Sequence, residues 1–243
     1  PVCTEVRNQS CGKFPRPLVV FNPHSFDIEL PVRTSHPSKA VTDSEGNSVL
    51  FQNVRASRSN DNHLDTLFIA KVPAFGYATY WLELDSEVKA DKELSGEQNF
   101  FMENEYVAVE FDAQTGYIKS LVNKETNTEY ANDNFLAIPT VIDDHETDTW
   151  AHNVFKFHNI KGLMELVSIE RVEKGALRSV IRTVHKFNDS LLTQEFILAK
   201  GQKTLRVDCK AMWQEKFTML KFAFPVGAEN EIRMVDFKMV DIN

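Results

Sequence analysis

Apolar and polar positions along this chain alternate with a period of two in short runs, and the runs are separated by Gly, Pro, Asn and Asp. That pattern predicts half-buried β-strands joined by tight turns. Segments with a helical period are hard to find. Residues 17–21 form the apolar run Pro-Leu-Val-Val-Phe, which stops at the turn signal Asn22-Pro23. Residues 27–32 alternate as Asp-Ile-Glu-Leu-Pro-Val, a strand with one wet face, and Pro31 sets that strand at a sheet edge or ends it. A turn at Asp43-Ser44-Glu45-Gly46-Asn47 precedes the run Ser48-Val49-Leu50-Phe51. Residues 64–72 are apolar, and Pro73-Ala74-Phe75-Gly76 turns the chain into residues 77–84, where Ala78, Tyr80, Leu82 and Leu84 share one face. About five short strands in residues 17–85 predict a small β-sandwich. Residues 83–97 break the pattern with six acids and two lysines. They predict an exposed acidic linker over residues 86–98.

A second patterned block starts at Asn99. Residues 101–111 alternate, with Val107, Val109 and Phe111 opposing Tyr106, Ala108 and Glu110. Asp112-Ala113-Gln114-Thr115-Gly116 reads as a hairpin loop with Gly at a positive φ, and residues 117–122 return as the next strand. Residues 164–172 read as a strand that turns at Gly175. Residues 177–187 and 191–198 form the next hairpin, and residues 205–213 and 219–224 follow. Eight or more strands are too many for one flat sheet, so stacked sheets over residues 99–243 are expected.

Composition narrows the function classes. The charge sum of 27 − 35 = −8 excludes a basic nucleic-acid footprint and a polybasic membrane surface. No apolar run approaches the roughly 20 residues that span a bilayer. The 18 Phe residues fit pleated, half-buried surfaces. Cys3, Cys11 and Cys209 contain no C-x-x-C pair, which excludes a cysteine zinc ribbon. Their odd number leaves at least one unpaired, and a reducing cytoplasm is the expected location. The chain opens Pro1-Val2-Cys3-Thr4 without an initiator Met and without a visible signal peptide, which hints at a piece of something longer.

Candidate chemistry concentrates in residues 139–157, read as the longest non-strand segment. Asp143, Asp144, Glu146 and Asp148 place four acids in six residues, next to His145, Trp150 and His152. Long loops on a rigid β scaffold are where sites tend to be placed. A metal site would draw on Asp144, His145, Asp148 and His152, at a spacing that matches no metal-binding loop. A carboxylate pair for glycoside chemistry would need its members roughly 5–10 Å apart across the bond. A sugar-facing rim would stack a ring on Trp150 and hydrogen-bond hydroxyls through Asp148 and His152. The plain alternative is that Trp150 anchors the loop to the core while the acids cap and solvate it. Elsewhere the bland role is favoured: a surface position for His24, a solvated one for His63, a packed or exposed sheet position for His185, core for Trp213. Glu103-Asn104 precedes a strand, where turn and cap hydrogen bonding is the favoured role.

Five motifs in order carry a resemblance. Residues 20–26 (Val-Phe-Asn-Pro-His-Ser-Phe) resemble the V-x-N-P-h-S-F/W opening of the β domains of family 38 glycoside hydrolases, the α-mannosidases. Residues 72–80 (Val-Pro-Ala-Phe-Gly-Tyr-Ala-Thr-Tyr) are similar to the V-P-x-h-G-Y-x-x-Y stretch that closes the first such domain. Residues 102–106 with 116–121 are similar to the h-E-N-x-x-h…G-x-I-x-S-L start of the large sandwich. Asp148-Thr149-Trp150-Ala151-His152 resembles the D-T-W-x-H loop of the bacterial branch. Lys221-Phe222-Ala223-Phe224-Pro225-Val226 resembles the late L-K-h-x-F-P-V strand.

The resemblance implies an all-β chain. After an N-terminal segment (residues 1–16) come a small β-sandwich and then part of a large galactose-mutarotase-like β-supersandwich, truncated near residue 243. In this family an N-terminal α/β barrel carries the zinc, the nucleophile and the general acid. That barrel has no counterpart in this sequence, so no catalytic residue and no metal ligand carries over to it. The implied function is support of the catalytic domain of an α-mannosidase. Asp144, His145, Asp148, Trp150 and His152 are candidates for the substrate rim. The implied partners are mannosides, through the parent enzyme, and the missing catalytic domain. An unpaired sheet edge is expected either to drive homo-oligomerisation or to be avoided by a compact early stop. Two rival readings stand beside this one. One is a stand-alone carbohydrate-binding or mutarotase-like sandwich, which as an epimerase would need a His and a Glu converging in a groove. The other is a structural oligomerisation domain.

Overall fold

A computed structural model describes residues 3–4, 15–56, 63–85, 88, 99–143, 157 and 159–225. The described residues form antiparallel strands and no helix, so the chain is all-β, as its period-two pattern predicts. The first half contains β1 (Cys3–Thr4), β2 (Arg16–Phe21), β3 (Ile28–Ser35), β4 (Ser38–Thr42), β5 (Phe51–Arg55), β6 (Leu64–Val72) and β7 (Tyr77–Leu84). They form two sheets, ordered β1-β2-β7-β4 and β3-β6-β5. Leu18 and Val20 of β2, Val41 of β4, and Tyr80 and Leu82 of β7 pack against Val32 of β3 and Phe68, Ala70 and Val72 of β6. Burying each large apolar side chain contributes about 1.5–3 kcal/mol. Tyr80 lies 4.8 Å from the Phe68 ring. Its hydroxyl accepts from the Lys71 N–H at 2.8 Å and donates to the Lys71 carbonyl at 3.1 Å, so the polar end of a buried ring is satisfied. Pro31 lies in β3, an edge strand, as a residue without an N–H requires.

Strand β4 has no counterpart in the sequence reading, because its two buried positions are the polar Ser38 and the apolar Val41, set three residues apart by a bulge. Ser38 is fully buried, its N–H donating to Asn53 Oδ1 and its carbonyl accepting from Asn53 Nδ2. Thr66 Oγ1 lies 2.8 Å from Ser38 Oγ. Such a clamp leaves no hydrophobic alternation to read.

The second half contains β8 (Phe101–Glu103), β9 (Val107–Phe111), β10 (Ile118–Asn123), β11 (Thr128–Glu129), β12 (Ile138–Asp143), β13 (Ile160–Leu163), β14 (Glu165–Lys174), β15 (Arg178–Phe187), β16 (Ser190–Ala199), β17 (Arg206–Met212) and β18 (Thr218–Ala223). They form sheets ordered β11-β10-β9-β8, β13-β12-β18 and β14-β15-β16-β17. One hydrophobic cluster joins Met102, Val109, Phe111 and Ile118 to Ile181, Phe196 and Leu198 of β15 and β16. A second joins Val141 of β12 to Met164 and Leu192, with Trp213 packed against it.

Two expectations are corrected. Residues 101–111 are not one strand but the hairpin β8–β9, because Asn104 turns the chain. Asn104 Oδ1 accepts from the N–H groups of Tyr106 and Val107, and its Nδ2 donates to the carbonyls of Ala199 and Gln202. The segment read as non-strand from residue 139 begins as strand: Pro139, Thr140, Val141 and Ile142 are buried in β12, between β13 and β18. A strand covered on both faces shows no alternation, and the acids that follow masked it.

The two halves meet at the turn between β14 and β15. Gln52 Oε1 accepts from the N–H groups of Leu177 and Arg178, and Gln52 Nε2 donates to the Arg178 carbonyl. Gly175 admits that side chain, since a Cβ there would fall 2.0 Å from Gln52 Cδ. Glu173 accepts from the Arg55 N–H at 3.0 Å and is forked by Arg178 at 2.6 and 2.8 Å. Val54, Leu67 and Leu177 close the apolar side of the junction.

Candidate functional site

The first two motifs, 50 residues apart at Asn22 and Val72, fold into one unit. Asn22 is buried, and its Nδ2 donates to the carbonyls of Phe26, Pro73 and Val72 at 2.8, 3.0 and 3.3 Å. Its Oδ1 accepts from the His24 N–H at 2.9 Å. An amide is the side chain for this position because it donates and accepts at once. The main chain adds Asn22 N–H to the Gly76 carbonyl and Phe75 N–H to the His24 carbonyl, and Asp27 Oδ1 accepts from the Ala74 N–H.

This tied backbone displays an aromatic platform. Leu18 and Val20 face the core, so Phe21, next in β2, faces out beside its register partner Tyr77 of β7, with ring centroids 5.9 Å apart. His24 stacks on Phe26 at 5.1 Å. Phe21, Phe26, Phe75 and Tyr77 are all exposed, by 46 to 76%. A shallow cleft beside them is lined by Pro23, His24, Phe26, Asp27 and Glu29. Exposed rings flanked by carboxylates suit an apolar protein face or the C–H face of a sugar. Both turns are legible in the sequence, but that they meet is not; the paired N-P and P-x-x-G signals are the trace of it.

The rim candidates Asp144, His145, Asp148, Trp150 and His152 lie outside the described residues, and so does the D-T-W-A-H motif. The strand ends that flank them in sequence are described. Asp143 ends β12 opposite Thr218 of β18, with its N–H donating to the Asn159 carbonyl at 2.8 Å. Lys221 Nζ donates to the Phe157 carbonyl at 2.8 Å and lies 5.3 Å over its ring. Ile160 is exposed at the start of β13, and Phe217 just before β18.

His185 sits inside the large sandwich, fully buried on β15. It stacks on Tyr117 at 5.6 Å, and its Nε2 lies 2.9 Å from the Thr115 carbonyl. A carbonyl only accepts, so Nε2 carries the proton. Burial pushes the His185 pKa below its ordinary value, against a smaller upward pull from the Thr115 carbonyl. The unfolded chain therefore binds a proton near pH 6.5 that the folded chain resists. Stability present above that pH is expected to fall as pH drops through it. Urea unfolding from about pH 7.5 to about pH 5.5 would show a steeper loss in the native protein than in His185→Phe. Equal slopes would contradict this.

Among the described residues, no three of His, Cys, Asp and Glu are grouped to hold a metal ion. Zinc, which the resemblance implies for the parent enzyme, therefore finds no fitting donor set among them. No curated protein matches the chain. The family model described as "Glycosyl hydrolases family 38 C-terminal domain" matches residues 102–236, more than half of the chain. That stretch holds the stacked sheets from β8 to β18, and three of the five motifs begin within it, of which those at residues 102–121 and 221–225 are described as strands and turns. The chain thus belongs to the C-terminal domain family of the family 38 glycosyl hydrolases.

Proposed function

We propose that this chain is the C-terminal β region of an α-mannosidase, holding and supporting a catalytic domain that hydrolyses α-mannosidic bonds with its own zinc. The observation that carries the reading is the family match across residues 102–236. The braced junction of Gln52, Glu173 and Arg178 fits a scaffold that must hold its shape. The aromatic platform offers the exposed apolar surface that a neighbouring domain would cover. The segment that carries Asp144, His145, Asp148, Trp150 and His152 would reach the rim of the substrate pocket.

On this reading the chain alone, given zinc and an aryl α-mannoside, releases no product. Activity is restored only when the chain is produced together with the catalytic domain. Zinc-dependent turnover by the chain alone would overturn the reading. A second reading, a stand-alone carbohydrate-binding sandwich, draws on the exposed rings beside Asp27 and Glu29. Calorimetric titration with mannose or mannobiose separates the two: heat of binding favours the module, silence the scaffold. The epimerase version gains nothing from His185, which is fully buried and stacked on a tyrosine.

A further inference from the structure

We propose that Thr183, His185 and Gln194 form an internal hydration site that holds one ordered water in the core of the large sandwich. Thr183 pairs with Gln194 across β15 and β16, and His185 is two residues along β15, so all three side chains project from one face. Cross-strand neighbours on one face lie about 5 Å apart. The face is the inner one. Ile181 and Phe196 on one side belong to the first hydrophobic cluster, and Leu192 on the other belongs to the second. The three polar side chains therefore sit at the seam between the two apolar clusters. Thr183 and His185 are 0% exposed and Gln194 is 1% exposed.

Each of the three presents a buried polar atom without a protein partner: Thr183 Oγ1, His185 Nδ1 and Gln194 Oε1. A buried polar group left unpaired costs about 1–3 kcal/mol, so three together at one seam call for a shared partner. Their chemistry specifies it. The Thr115 carbonyl places the His185 proton on Nε2, which leaves Nδ1 as a bare acceptor. Gln194 Oε1 is a second acceptor, and the Thr183 hydroxyl donates. A molecule with two donors and one acceptor within a few ångströms is water, and internal waters make about three such bonds. The site also bears on the fold. The same histidine holds the carbonyl of the residue 112–116 loop, so the water completes a chain from that loop through His185 to the β15–β16 pair.

Solution NMR of the full chain tests this. Nuclear Overhauser cross-peaks from a long-lived water to the Thr183 methyl and the His185 ring protons are expected. They should vanish in Gln194→Leu, a variant whose neighbours Leu192 and Phe196 accept an apolar side chain. Cross-peaks that are missing in the native protein, or unchanged in Gln194→Leu, would overturn the site. A crystal structure supplies a second test that does not depend on the variant. A water oxygen within about 3.2 Å of all three atoms supports the site. A Gln194 amide turned so that Nε2 bonds His185 Nδ1 directly defeats it.

Discussion

Gly116→Ala is expected to destabilise the large sandwich by about 2–4 kcal/mol. Gly116 has φ +70, in the left-handed region that a side chain resists. A Cβ there would also fall 2.6 Å from Leu166 Cδ1 and 3.2 Å from His185 Cε1 and Nε2. Leu166 is His185's register partner on β14, so neither can withdraw without disturbing the other. Moving the ring would also stretch the bond from Nε2 to the Thr115 carbonyl. Gly46 and Gly201 supply the control. They have φ +85 and +72 but nothing within 4 Å of an added Cβ. Their alanine variants should cost only the backbone penalty, about 1 kcal/mol. Urea denaturation reads all three as midpoint shifts. A Gly116→Ala shift no larger than the controls would show that the contact with Leu166 and His185 carries no weight.

Glu173→Ala is expected to cost about 3–5 kcal/mol, because it strands a partly buried arginine. The Glu173 and Arg178 side chains are 7% and 16% exposed, and both guanidinium bonds are short, at 2.6 and 2.8 Å. The variant also removes the acceptor for the Arg55 N–H, which belongs to the other half of the chain. Unfolding is therefore expected to lose cooperativity between the halves as well as free energy. Trp81 reports on the first half and Trp213 on the second, so fluorescence transitions of variants that keep only one of these two among the three tryptophans would reveal the uncoupling. A double change of Glu173→Leu and Arg178→Met, which leaves no unpaired charge, should recover much of the loss. If the single and double variants were equally destabilised, the cost would lie in packing and not in the stranded charge.

Sequence alone determined whatever is encoded over a few neighbouring residues. Alternation in residues 77–84 named the buried face of β7, with Tyr80 and Leu82 inside and Trp81 outside. Asp112 to Gly116 announced a turn with a left-handed glycine, and the ordered motifs pointed to the family. Local pattern works there because side chains alternate with the pleat, and because only glycine takes some backbone angles without strain.

The tertiary structure decided what crosses the chain. It joined Asn22 to the turn at Pro73 and so made one aromatic platform from two motifs. It set Gln52 against a turn 125 residues away. It buried β12 on both faces and β4 behind polar clamps, which erased the alternation that would have revealed them. It placed His185 in the core, where sequence allowed either a packed or an exposed sheet position. The physical reason is the same in each case. A period-two pattern reports that a strand has an apolar face, but not which sheet covers it. A hydrogen bond between distant segments leaves no periodicity in either one.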